Sequence, residues 1–304
     1  MQRTLDKGGF KMESATMQNI KQRQVKHIST ARSASDGAGV KLNRVFGGIK
    51  PELYDPFLLL DAFGSDEATD YIAGFPSHPH RGFETVTYML EGKMLHEDHM
   101  GNKGLLNNGD VQWMTAARGI IHSEMPQQEE GRMSGFQLWV NLPAAEKMKD
   151  PFYRDIPASD IPEVNFVGAS GGEIKIKAIA GEIKLNNKSL KGAVSGLSTE
   201  PLYLDVHMSA DSEIPIPIAK GHTALLYVYE GSVEIAEKVV ASLQVALLSE
   251  EGVVEIKSND KARFILLAGK PLNKPVVQHG PFVMNTHKEI EQAIQDYRDG
   301  TLTA

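Results

Sequence analysis

The chain has 304 residues, 41% apolar and 23% charged, which fits a soluble globular protein long enough for two domains of ordinary size. A net charge of -7 excludes a nucleic-acid grip made by overall charge. The absence of cysteine excludes disulfides, thiolate nucleophiles and sulfur ligation of a metal, and fits a cytoplasmic location.

Residues 1–15 are polar and patternless, which predicts a disordered extension over 1–16, with Met17 as an alternative start. The first 32 residues are basic but lack an apolar centre, so they do not read as a signal peptide. His78-Pro79-His80 comes next, and His122 and Glu124 repeat its i, i+2 spacing. Residues two apart on a β-strand share a face, so two neighbouring strands would aim three imidazoles and one carboxylate at one interior point. The run 85–90 reads as a strand closed by Gly92. His96-Glu97-Asp98-His99 is a rival donor set, otherwise the solvated polar edge of a turn. The turn 107–110 announces a hairpin into a strand over 111–114, and 136–140 alternates apolar and polar residues. Many short strands at this spacing predict a sandwich or barrel.

One helical turn fits 144–150, and the proline-rich 151–161 reads as a linker. A second strand series begins near Glu173. In it Ile216-Pro217-Ile218 precedes Tyr227 much as His78-Pro79-His80 precedes Tyr88, which suggests an internal duplication. Isoleucine cannot ligate a metal, so only the leading copy would be loaded. The run 239–248 is the longest uncharged apolar stretch and is too short to span a bilayer, so no membrane partner is expected. Thr286 and Glu289 form a capping box for a terminal helix with Ile290, Ala293, Ile294 and Tyr297 on one side and Gly300 as its stop. The predicted domains are 17–150, which binds metal, and 151–304, which does not and carries the linker and helix.

Nitrogen and oxygen donors without thiolate suit Fe, Mn, Ni, Cu or Zn, and spacing does not choose among them. Four protein donors on a six-coordinate ion leave room for chemistry, unlike a closed structural zinc site.

The runs 75–88 (FPSHPHRGFETVTY) and 109–126 (GDVQWMTAARGIIHSEMP) resemble the pirin family of the cupin superfamily, as do 35–48 (SDGAGVKLNRVFGG) and 280–286 (GPFVMNT). The resemblance implies an all-β bicupin: two stacked antiparallel β-barrels of the double-stranded β-helix type with a short C-terminal helix. It implies one divalent metal, Fe foremost, held in the N-terminal barrel by His78, His80, His122 and Glu124. Glu84, whose position is itself a ligand in many cupins, would then stand behind the ligands or in the pocket. The family implies two activities. One is quercetin 2,3-dioxygenation, in which a flavonol and O2 react with release of CO and Glu124 serves as general base. The other is metal- and redox-dependent regulation through a protein partner, including transcriptional co-regulation without direct nucleic-acid contact. Phe75, Trp113 and Met114 are candidate pocket walls, although only one of the adjacent Trp113 and Met114 can point inward on a regular strand. Arg81 is expected to pair with Glu84 or Glu124 or to meet solvent, and Arg118 to lie on the pocket rim.

Overall fold

A computed structural model describes residues 21–304 apart from 49, 169–170 and 186–187. The expected extension over 1–16 lies outside the described residues. The fold is all-β, with His287–Arg298 the one α-helix among the described residues.

The chain divides into two units, one made of 32–158 with 272–304, the other of the described residues of 159–271 with 21–31. Each unit pairs a seven-stranded with a four-stranded antiparallel sheet. In the first unit the large sheet runs Phe152–Ile156, Val111–Thr115, Phe83–Glu91, Met133–Asn141, Phe57–Ser65, Val40–Gly47, Arg32–Asp36. Its small sheet runs Phe75–His80, Ile120–Pro126, Met94–Asp98, Lys103–Leu106. The second unit repeats this order with Val25–Thr30, Gln244–Leu248, Thr223–Glu230, Ala262–Gly269, Leu202–Met208, Glu173–Ala180, Glu163–Val167 and, in the small sheet, Ser212–Pro217, Val253–Ser258, Ser232–Ile235, Lys238–Ala241. The matching orders support the duplication read from the isoleucine and histidine runs.

The division differs from a cut at 150/151. Val25–Thr30 pairs with Gln244–Leu248 in the second unit, and the terminal segment returns to the first. The supposed linker holds the edge strand Phe152–Ile156, which pairs with Val111–Thr115. These exchanges rest on pairing between distant residues, which local composition does not encode.

Alternation sets the faces. In Glu173–Ala180, Ile174, Ile176 and Ala178 are buried while Glu173, Lys175 and Lys177 are not. Ile214, Ile216 and Ile218 pack with Val254 and Ile256 in the second unit's core, so the duplicated position is filled with hydrocarbon. The terminal helix is capped as expected: the Glu289 N–H donates to Thr286 Oγ1 (3.2 Å) and the Thr286 hydroxyl donates to Glu289 Oε2 (2.9 Å). Ile290 and Ala293 pack with Phe282, Met284 and Leu302, while Tyr297 stays exposed. Among the described residues no helix is long and apolar enough to cross a membrane.

Candidate metal centre and its pocket

The first unit's small sheet builds the site. Phe75–His80 and Ile120–Pro126 are antiparallel neighbours, with His78 directly opposite His122 and His80 opposite Ile120. The register slips between His122 and Glu124, a bulge that re-aims side chains beside the histidines. His78 Nε2 lies 2.9 Å from His80 Nε2 and 3.0 Å from His122 Nε2. His78, His80 and His122 form the one potential metal-binding group of three or more donors among the described residues.

These nitrogens fit a metal on two counts. The single lone pair of His78 Nε2 cannot accept a proton in line from both neighbours, so protons alone leave the trio imperfectly satisfied. Two metal–nitrogen bonds of about 2.0–2.1 Å at right angles place their nitrogens about 2.9–3.0 Å apart, the spacing observed. The donors are also in the right charge state. Burial pushes the pKa of His80 and of His122 well below the ordinary 6.5, with further lowering from neighbouring histidines, so both are neutral at pH 7, the form a metal takes. His78 Nδ1 donates to the Pro76 carbonyl (2.8 Å), which leaves Nε2 as the lone-pair nitrogen facing the trio.

His96 is not the solvated edge its sequence suggests. It is wholly buried on Met94–Asp98, opposite Glu124, and its Nε2 lies 2.8 Å from His122 Nδ1. When His122 Nε2 is free to ligate, the His122 proton sits on Nδ1 and points at His96. His99 faces elsewhere: its Nδ1 accepts from the Ile121 N–H.

Glu124 is not one of the converging trio. Its Oε1 lies 2.9 Å from Thr87 Oγ1, its Oε2 accepts from Gln137 Nε2 (3.2 Å), and Thr87 Oγ1 is 2.7 Å from Gln137 Oε1. Thr87 has one hydroxyl proton for two partners. That proton is shared between Glu124 Oε1 and Gln137 Oε1, so the three side chains form one polar cluster.

A cavity of about 580 Å3, within the range of small-molecule sites, includes His78, His80, Glu124, Thr87 and Gln137 in its lining. Phe75 lines it as expected, joined by Trp139, Leu59, Phe63 and Arg44. Trp139 and Gln137 lie two apart on one strand, and their shared face could have been read from the alternation over 136–140. Trp113 does not line the cavity. It lies opposite Val86, on the other side of the sheet from Thr85 and Thr87. Met114 takes the inward side but packs with Ala116, Ile120 and Tyr153. Glu84 also faces away: it accepts from Thr115 Oγ1 (2.6 Å), and burial raises its pKa. Period-two alternation puts Glu84 on the face opposite Thr85 and Thr87.

Arg81 meets neither glutamate nor solvent. It is buried, donating to Asp296 (2.6 Å), the Leu302 carbonyl (2.9 Å) and the Arg118 carbonyl, which ties the residue after His80 to the chain's tail. Lys147 makes a similar tie, donating to the Gly82 carbonyl (2.6 Å), Asn141 Oδ1 (2.6 Å) and the Val283 carbonyl (3.0 Å). Gly82 has φ +93, and a Cβ there would strike the Val283 carbonyl, so glycine is needed for this approach. Arg118 pairs with Asp150 at the surface.

Comparison with known proteins agrees with this architecture. Residues 39–140 match the Pirin family model, and 203–303 match that of the Pirin C-terminal cupin domain. A Pseudomonas aeruginosa protein provisionally named a quercetin 2,3-dioxygenase is 54% identical, covering 92% of this chain and 98% of that one. Human pirin is 42% identical over 88% of this chain and 90% of its own. The crystal structure of a quercetin 2,3-dioxygenase from Acinetobacter baumannii superposes with a TM-score of 0.85 at 33% identity, covering 93% of this chain and 99% of that one. With two family models matched over most of its length and relatives more than 40% identical along nearly all of it, the chain belongs to the pirin family.

Proposed function

We propose that this protein is a metal-dependent dioxygenase that opens flavonols such as quercetin, with His78, His80 and His122 holding a divalent transition metal, Fe foremost. The observation that carries this reading is the trio of imidazoles at metal-ligand spacing, two of which, His78 and His80, line one cavity with the Glu124 carboxyl. When bound, the ion supplies Lewis acidity toward the substrate hydroxyl and a redox partner for O2. Every other part belongs to the chain. Trp139, Phe63 and Phe75 offer flat apolar walls for the fused rings. Glu124 takes the proton of the flavonol 3-hydroxyl as general base, and the Thr87–Gln137 pair holds the carboxyl once it is protonated. Glu124 is also our candidate for fourth ligand. Its oxygens face Thr87 and Gln137, so ligation requires it to exchange at least one of these contacts. A cytoplasmic location suits a chain without thiols.

The test is to incubate metal-loaded protein with quercetin in air and follow loss of the flavonol absorbance. Turnover is expected to vanish in His78→Ala. It should fall by about 10²-fold or more in Glu124→Gln, with metal content kept. A Glu124→Gln protein with full turnover sinks the base assignment. A metal-loaded protein inert toward flavonols that captures a specific protein partner in a metal-dependent way favours the regulatory role instead.

A further inference from the structure

The same cavity carries charge in its wall. Arg44, Asp61 and Asp36 all line it. Arg44 lies opposite Asp61, Asp61 opposite Gln137, and Gln137 opposite Thr87. One inward-facing row therefore runs across four strands, from the guanidinium to the pair that holds Glu124. Three strand spacings of about 4.8 Å separate its ends, so the backbone under the row spans about 14 Å. Such a row can contact both ends of one elongated flat molecule.

The chemistry of the far end is specific. Asp61 has both oxygens occupied by Arg44, from Nε (2.9 Å) and Nη2 (2.8 Å). Arg44 Nη2 also donates to Asp36 Oδ2 (3.1 Å), and Asp36 Oδ1 accepts from the Gly37 N–H (2.8 Å). Arg44 Nη1 takes part in none of these bonds and has two N–H groups to offer. Asp36, more than half exposed, has spare lone pairs. Two carboxylates against one guanidinium leave a net negative charge, which disfavours carboxylate or phosphate ligands. A partly buried ion pair is a poor device for fastening strands, since apolar residues of like volume usually do as well. Its place in a cavity wall beside Leu42, Leu59 and Phe63 suits recognition.

We infer that Arg44, Asp61 and Asp36 form a hydroxyl-reading subsite, which selects uncharged flat aromatic substrates bearing vicinal hydroxyls on the ring remote from the metal. A catechol matches it group for group, with hydroxyl protons for Asp36 and hydroxyl oxygens for Arg44 Nη1. This rests on the flavonol reading above and deepens it.

The test is calorimetric titration of metal-loaded protein without O2, using quercetin and a flavonol whose pendant ring has no hydroxyls. Quercetin is expected to bind about tenfold tighter, as two added hydrogen bonds imply. Asp36→Asn, a change at an exposed side chain that leaves the Arg44–Asp61 pair intact, should shrink that advantage about threefold or more. Arg44→Gln should abolish it, and if that variant fails to fold, Asp36→Asn decides alone. Equal binding of the two flavonols, an advantage that survives in Asp36→Asn, or binding of neither overturns the subsite. The reaction is scored separately in air. Selective binding without turnover sinks the dioxygenase and leaves the subsite standing, whereas equal kcat/KM for both flavonols sinks the subsite and leaves the reaction.

Discussion

Replacing His96 by Phe keeps a buried ring but removes the acceptor for His122 Nδ1–H, which lies 2.8 Å from His96 Nε2. Two routes give the size of the effect. Removing a group that orients a metal-bound histidine typically costs 10–100-fold in metal affinity, or about 1.4–2.8 kcal/mol. Leaving a buried N–H without a partner costs about 1–3 kcal/mol. The agreement means that the metal Kd of His96→Phe should rise by one to two orders of magnitude, although His96 is not a ligand. His96→Gln, whose side-chain oxygen can accept the same proton, should recover much of the loss. The assay is competition with a chelator of known affinity at fixed pH, with circular dichroism of the metal-free protein to show that the fold is kept. Wild-type affinity in His96→Phe refutes the orienting role. So does a Gln variant as weak as Phe with an intact fold, because the effect would then be general disturbance of the sheet.

Three further outcomes are expected. In chelated protein, burial holds His80, His96 and His122 neutral while their unfolded counterparts titrate near 6.5. The unfolded state therefore binds more protons below that pH, and stability should fall by up to about 1.4 kcal/mol per pH unit for each histidine as pH drops below 6.5; denaturant midpoints that do not move from pH 7.5 to 5.5 contradict this. Lys147→Met removes the donor to three buried oxygens and should cost about 3 kcal/mol, lowering Tm by at least about 6 °C in a melting experiment. Burial pulls the Lys147 pKa down to about 7, yet three surrounding acceptors call for the three N–H groups of the ammonium form. Deleting residues 302–304 uncovers the site of buried Leu302 and strips Arg81 Nη2 of its acceptor, so both Tm and metal affinity should fall; an unchanged metal Kd would show that the tail does not support His80.

The convergence of the three histidines was legible because its information is local: an i, i+2 histidine pair on one strand and a third histidine on another. What the sequence left out is mostly cross-strand. Arg44 and Asp61 are unremarkable alone and become a cavity wall only through the register between Val40–Gly47 and Phe57–Ser65. His96 reads as one member of a polar turn, and only its diagonal placement against His122 makes it that histidine's partner. Trp113 and Glu84 lie inside the strongest motifs, yet alternation turns both away from the cavity. Proximity along the chain gives distance to a ligand but not the face on which a side chain lies. Domain limits were missed for a related reason, since edge strands such as Val25–Thr30 are assigned by distant partners.

The two units show how one strand order can rest on different physics. In the second, Ile214, Ile216, Val254 and Ile256 fill the interior, so burial itself stabilises the unit. In the first, the corresponding region buries imidazoles and a carboxyl, groups that burial disfavours unless they are paired. The first unit compensates with polar ties around the site: Thr87 and Gln137 on Glu124, His96 on His122, Pro76 on His78, and Arg81 and Lys147 on the backbone flanking His80 and Gly82. A bound ion would satisfy a part that these ties leave over-subscribed, the lone pair of His78 Nε2. Metal affinity and folding stability are then one coupled quantity in this unit. Each substitution that loosens a polar tie should appear in both, while changes to the isoleucine core should appear in stability alone.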